Sequence, residues 1–233
     1  KESSNSAASR DEQTWNGDSV EVYLDPAGDR KSYYQFAVSS NGIQYDAMGI
    51  DGTWDTYWEA KTATTDNGWT AELRIPITFS GNSNTKWTAN FCRIVKPNSG
   101  KEYSAWSPVF GTFHQPQRFG TITGVSVESK NYPFTPQIKV ELPTRWFLGS
   151  NYLDVTISKN TKVTSKTVLQ IVDLTTGNAV WSKNIPSDKK SIIQTKCNVD
   201  LQDNSLKQLQ LVLCDNSNHH RILASSKVFK PEA

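Results

Sequence analysis

The sequence predicts an all-β protein built as two β-sandwich domains, and three observations carry that prediction. Short runs alternating apolar and polar residues, bounded by Gly, Asn, Asp and Pro, recur about every dozen residues. Helical periodicity is nearly absent. The composition changes at about Val127, where Ser129 to Pro136 contains Pro133 and Pro136 with no periodicity, as a short stiff linker would. The expected division is therefore a first sandwich over 1–127, a linker over 128–136 and a second sandwich over 137–233.

The elements follow in order. In Ser19 to Asp25, Val20, Val22 and Leu24 point one way and Glu21 and Tyr23 the other, because successive side chains of a strand alternate. Tyr34, Phe36 and Val38 repeat the pattern, with Gln35 and Ala37 on the opposite face. Asn41-Gly42 tolerates positive φ and turns the chain into Ile43 to Met48. Trp54 to Lys61 and Trp69 to Ile75 read as a pair joined through Asp66-Asn67-Gly68, and Pro76 stops the second because it has no amide to donate. Trp87 to Val95, Tyr103 to Trp106 and Phe119 to Thr123 complete the first set.

Beyond the linker, strands are expected at Ile138 to Leu142, Leu153 to Ile157, Thr167 to Asp173, Ala179 to Trp181, Ser191 to Val199, Gln208 to Leu213 and Ile222 to Val228. Their number and spacing are those of an immunoglobulin- or fibronectin-like sandwich in architecture, without the Cys–Trp–Cys spacing of antibody domains.

A length of 233 residues with 36% hydrophobic content is enough for two modest cores. With 25 Lys+Arg against 23 Asp+Glu and no basic stripe, nothing points to nucleic acid or an acidic membrane surface. The longest apolar runs are a few residues, too short for a transmembrane helix. Cys92, Cys197 and Cys214 have no CxxC spacing, which argues against a zinc site. Three reduced, mostly buried thiols are the main expectation, although Cys197 and Cys214 were in strands neighbouring enough to admit one bridge.

Six of the eight tryptophans precede residue 127: Trp15, Trp54, Trp58, Trp69, Trp87 and Trp106. Trp69 and Trp87 are in phase with buried positions. Trp15 instead lies at a strand entrance before Asn16-Gly17, and Phe110, Phe113 and His114 form a second aromatic group in a loop with Pro108, Gly111 and Pro116. A pyranose presents a C–H face that packs on an aromatic ring and a rim of hydroxyls that needs paired polar groups, so exposed loop aromatics suit a sugar site. The same rings equally suit a structural role, closing the ends of the sandwich.

Trp15-Asn16-Gly17-Asp18-Ser19-Val20-Glu21-Val22-Tyr23-Leu24-Asp25 resembles the family 9 carbohydrate-binding modules, whose pattern is a Trp, two residues, Asp-Ser-Val-Glu, an apolar strand and a final Asp. Tyr34 to Val38 resembles the next signature strand, and Gly68-Trp69-Thr70-Ala71-Glu72 the strand reading Gly-aromatic-x-x-Glu. Ser104-Ala105-Trp106-Ser107-Pro108 and Arg118-Phe119-Gly120-Thr121-Ile122 resemble the closing part. The resemblance covers roughly residues 10–125 and implies that strands preceding Arg10-Asp11 in the family are lacking in this chain.

The resemblance further implies non-catalytic binding of a polysaccharide or oligosaccharide, in the service of a secreted, cell-surface or periplasmic bacterial glycoside hydrolase and beside other domains of the same polypeptide. Trp15 and Phe113 correspond to two aromatic clamp residues and Glu21 to a polar contact. Sugar-binding relatives carry an Arg where this chain has Ala37, leaving Gln35, Gln115, Gln117 or Arg118 to compensate. The expected ligand-binding set is Trp15, Glu21, Gln35, Phe113, His114, Gln115 and Arg118, with no catalytic residue and no nucleic-acid or membrane partner.

Other chemistries have less support. Asp18, Glu21, Asp25 and Glu72 could supply a glycosidase pair, but the first three belong to a turn and strand used for binding and structure. The Asp-rich turns Asp25 to Asp29 and Asp46 to Asp55 could hold structural Ca²⁺, with Asp25 and Asp29 the candidate ligands, or be plain solvated turns. His219-His220 lacks partners at metal-ligand spacing, and no nucleophile elbow supports a triad. The fold is also similar to haem-carrying cytochrome domains, for which Met48 and His114 would be the axial ligands, although a core role is expected for Met48. A third alternative is a purely architectural or protein-interaction sandwich with no sugar ligand.

Overall fold

The computed structural model describes residues 7–76, 86–97, 99–125, 137–158, 167–186, 192–202, 208–216 and 221–231. The chain separates into two units, Lys1–Glu128 and Ser129–Ala233. The expected linker, 128–136, lies outside the described residues. Among the described residues every strand pairing is antiparallel, and no helix is long and apolar enough to cross a membrane.

The first unit contains strands β1 Ser19–Asp25, β2 Tyr34–Ser39, β3 Gln44–Met48, β4 Glu59–Thr65, β5 Gly68–Arg74, β6 Lys86–Val95, β7 Glu102–Ala105 and β8 Gly120–Thr123. A six-stranded sheet runs β3-β2-β1-β6-β7, with β8 also paired to β6, and β4-β5 form a separate hairpin. The period-two pattern read from β1 and β2 decides what each face carries. Leu24, Phe36, Val38, Trp58, Trp87 and Ala89 form one core cluster, onto which Val20, Val22 and the hairpin residues Ala60, Ala71 and Leu73 pack. Tyr23, Tyr33, Cys92 and Phe119 form a second cluster with Ala105 and Phe113.

Several expectations need correction. The strand foreseen from Trp54 begins only at Glu59; Trp54 and Trp58 precede it and pack edge-on against Phe36, at 6.2 and 5.4 Å between ring centroids. Met48 is 46% exposed at the end of β3, so it is not a core residue. The Asn41-Gly42 turn is as expected: Gly42 has φ +85° and donates to the Ser39 carbonyl at 2.9 Å.

The second unit contains β9 Gln137–Glu141, β10 Gly149–Ser158, β11 Thr167–Asp173, β12 Asn178–Asn184, β13 Ile192–Leu201, β14 Leu209–Asp215 and β15 Arg221–Ser225. A three-stranded sheet, β13-β10-β9, and a four-stranded sheet, β12-β11-β14-β15, share one core. Leu153, Val155 and Ile157 come from the first sheet and Leu169, Ile171, Leu211 and Leu213 from the second. The pairing of the fourth strand with the third is of the fibronectin-like kind of sandwich. Cys197 and Cys214 are free, buried and in different sheets, so the possible bridge does not form.

Candidate functional site

The site lies on the face of the large sheet opposite its hairpin-covered core. Glu21 stands directly across from Ala37 of β2 on one side and Cys92 of β6 on the other, and Tyr23 across from Gln35 and Asn90. All six are buried, so a strip of polar groups runs along the centre of the sheet. The fully buried Asn90 then ties down the loop that walls the site. Its side-chain amide donates to the Ser107 carbonyl at 3.0 Å, and its Oδ1 accepts from the Ser107 N–H at 2.8 Å. Ser107 Oγ in turn donates to the Arg118 carbonyl at 2.6 Å, pinning both ends of the 107–118 loop.

Trp106 and Gly120 explain each other. A Cβ on Gly120 would run into the Trp106 ring, so the indole lies directly over the glycine backbone. The Trp-Ser and Phe-Gly motifs of the sequence thus fasten the wall loop to β8.

A pocket of about 560 Å³ opens on this face, within the usual range for small-ligand sites of about 300–1,000 Å³. Trp15, Glu21, Gln35, Phe113 and His114 all line it. Gln115 and Arg118 do not line it. Gln115 folds back on Phe110, donating to its carbonyl through Nε2, and the exposed Arg118 guanidinium lies 4.4 Å from the centre of the Phe110 ring. Both shape the loop from behind.

Trp15 sits in a 3₁₀ turn, Thr14–Asn16, half-buried and edge-on to Tyr45 at 4.9 Å. Lys101 Nζ donates to the Trp15 carbonyl at 3.0 Å and fastens that turn beside the start of β7. Phe113 packs edge-on against Tyr103 at 6.0 Å and Tyr23 at 6.5 Å. Tyr23, Lys101 and Tyr103 were missed from sequence. The alternation of β1 placed Tyr23 beside Glu21, and that was the available signal; nothing local marks Lys101 or Tyr103.

At the floor, Tyr23 Oη donates to Glu21 Oε2 at 2.6 Å and Gln35 Nε2 donates to the same oxygen at 2.8 Å. Burial raises the Glu21 carboxyl above the usual carboxylate range, against the lowering by those two hydrogen bonds. Burial first, then the Glu21 charge, raises Tyr23, which stays a protonated donor. The same two causes push the Cys92 thiol up to about 12, far from the thiolate a nucleophile needs. Tyr33 Oη and His114 Nδ1 lie 2.9 Å apart, and burial lowers the imidazole so that it is neutral at pH 7.

Met48 is not among the residues lining this pocket with His114. Asp25 is fully buried, accepting from the Gly28 and Arg30 amides at 2.8 Å each and from Thr88 Oγ1 at 2.7 Å. Asp29 caps its own turn, accepting from the Lys31 and Ser32 amides at 2.8 Å. Among the described residues, carboxylate oxygens of Asp11, Asp46 and Asp55 come within 4.8 Å of one another, and Arg10 is ion-paired to Asp46.

Rings on the wall of a sandwich pocket, with hydrogen-bonding groups on its floor, are the equipment of a carbohydrate-binding domain. The chain belongs to the carbohydrate family 9 binding domain-like family, which matches residues 2–126. That membership supports carbohydrate binding in general, and the second unit lies outside the match. No curated protein and no solved structure matches the chain.

Proposed function

We propose that the first unit binds a saccharide non-catalytically in the pocket lined by Trp15 and Phe113, as an accessory module of a secreted bacterial polysaccharide-degrading system. The observation that carries this reading is that Trp15 and Phe113 line one pocket together with Glu21 and Gln35. A ring can stack on the aromatics while its hydroxyls pair with the floor. Hydrolysis of a glycosidic bond uses two facing carboxyl groups, and Glu21 is the single carboxylate among the pocket's described lining residues. A tethered binder serves catalysis by raising the effective concentration of its enzyme at the substrate.

The test is a glycan array followed by calorimetry on the full chain and its Trp15→Ala and Phe113→Ala variants. A glycan that binds wild type and loses at least about tenfold in affinity with each variant supports the reading. Absence of any glycan ligand, or variants that bind as wild type does, would remove it and favour an architectural sandwich.

A further inference from the structure

The pocket floor offers acceptors and lacks a positive charge. Both protein donors that reach Glu21, from Tyr23 and Gln35, go to Oε2. Among the described residues Oε1 of this 3%-exposed side chain receives none, although Glu21 lines the pocket. Gln35 is oriented by its donation to Glu21, which leaves its carbonyl oxygen as a second acceptor without a protein donor among the described residues. No Lys, Arg or His side chain of the described residues lies within ion-pairing distance of Glu21.

Position 37 is where a counter-charge would stand. It faces Glu21 across the β1–β2 pair and is a fully buried Ala, which supplies none. Lys101, the cation of the rim, is engaged by the Trp15 carbonyl. A buried carboxylate without a counter-charge is an unfavourable arrangement that a ligand cation relieves. Trp15, Tyr103 and Phe113 line the same space, and aromatic faces attract an ammonium group in their own right.

We infer that the pocket selects an amine-bearing sugar, whose ammonium donates to Glu21 Oε1 and the Gln35 carbonyl while its ring lies against the aromatic wall. This inference rests on the carbohydrate reading above. An ammonium brings three donors and the missing charge. A hydroxyl brings one donor and no charge, and a carboxylate or sulfate meets the like charge of Glu21 at the floor. The expected order is amino sugar, then neutral sugar, then acidic sugar.

Calorimetry on the full chain at neutral pH and moderate salt tests this with three β-1,4-linked glucose-type oligomers of equal length. They differ only at C2, as amine, N-acetylamine or hydroxyl, and a β-1,4-linked uronic acid oligomer is the fourth ligand. The amine oligomer is expected to bind about tenfold or more tighter than the hydroxyl one, with the uronic oligomer weakest. Glu21→Gln, which keeps the side chain's shape, is expected to bring amine and hydroxyl oligomers within about twofold of each other. Wild type binding the hydroxyl or acetylated oligomer as tightly as the amine overturns the amine inference and leaves the carbohydrate reading standing. An amine preference that survives in Glu21→Gln overturns it as well. If no oligomer binds, the amine inference falls, and the glycan array decides the carbohydrate reading. The wild-type comparison decides the matter alone should the variant misfold.

Discussion

The two faces of the β1-β2-β6 sheet are made by alternate residues of the same strands, yet they obey opposite rules. One face presents Val22, Leu24, Phe36, Val38 and Ala89 to the β4-β5 hairpin and is apolar throughout its core. The other places Glu21, Gln35 and Asn90, all at most 3% exposed, where no burial of hydrocarbon calls for them. Asn90 repays its burial by anchoring the wall loop, and Tyr23 and Gln35 brace Glu21. Burial nevertheless works against the charged form of Glu21. A side chain kept where it does not help stability is a candidate for binding.

The largest effect expected from this contrast is on the core face. Phe36→Ala removes a fully buried ring packed against Trp54 and Trp58 and should destabilise the first unit by about 3–5 kcal/mol in chemical denaturation. Trp15→Ala should separate binding from folding. We expect about 1–3 kcal/mol of lost saccharide affinity by calorimetry, with a smaller change in denaturation midpoint because the indole is only half-buried.

Glu21→Gln sharpens the comparison further. Burial raises the Glu21 carboxyl, so the folded state holds its proton to higher pH than the unfolded chain does. Stability from this group is therefore greatest below the ordinary carboxylate range and declines as pH rises through the raised value. The variant, which does not titrate there, should match or exceed wild type in stability at neutral pH, and its advantage should shrink on acidification. Denaturation curves across that window check the sign. Met48→Ser should be the smallest change, within about 0.5 kcal/mol, because the side chain is exposed.

The strands were legible wherever a single face dictated alternation, as in β1, β2 and β5, and β11 matches its expected bounds, Thr167–Asp173. Trp54 and Trp58 misled because aromatic content resembles strand propensity, whereas these rings reach the core from an irregular segment. Cys197 and Cys214 were close along the chain, but the crossing between sheets puts them on opposite layers, which local patterning does not report. The site divides likewise. Trp15, Glu21 and Phe113 were legible through the motif and the alternation of β1. Lys101 and Tyr103 join them only because β7 pairs with β6, a long-range contact with no short-range mark.

The most direct test of the central claim is a crystal structure of the full chain with a bound saccharide identified by calorimetry. The account predicts a sugar ring within about 4 Å of both Trp15 and Phe113, with a ligand donor on Glu21 Oε1. A sugar bound anywhere else on the chain, with this pocket left to solvent, would contradict it.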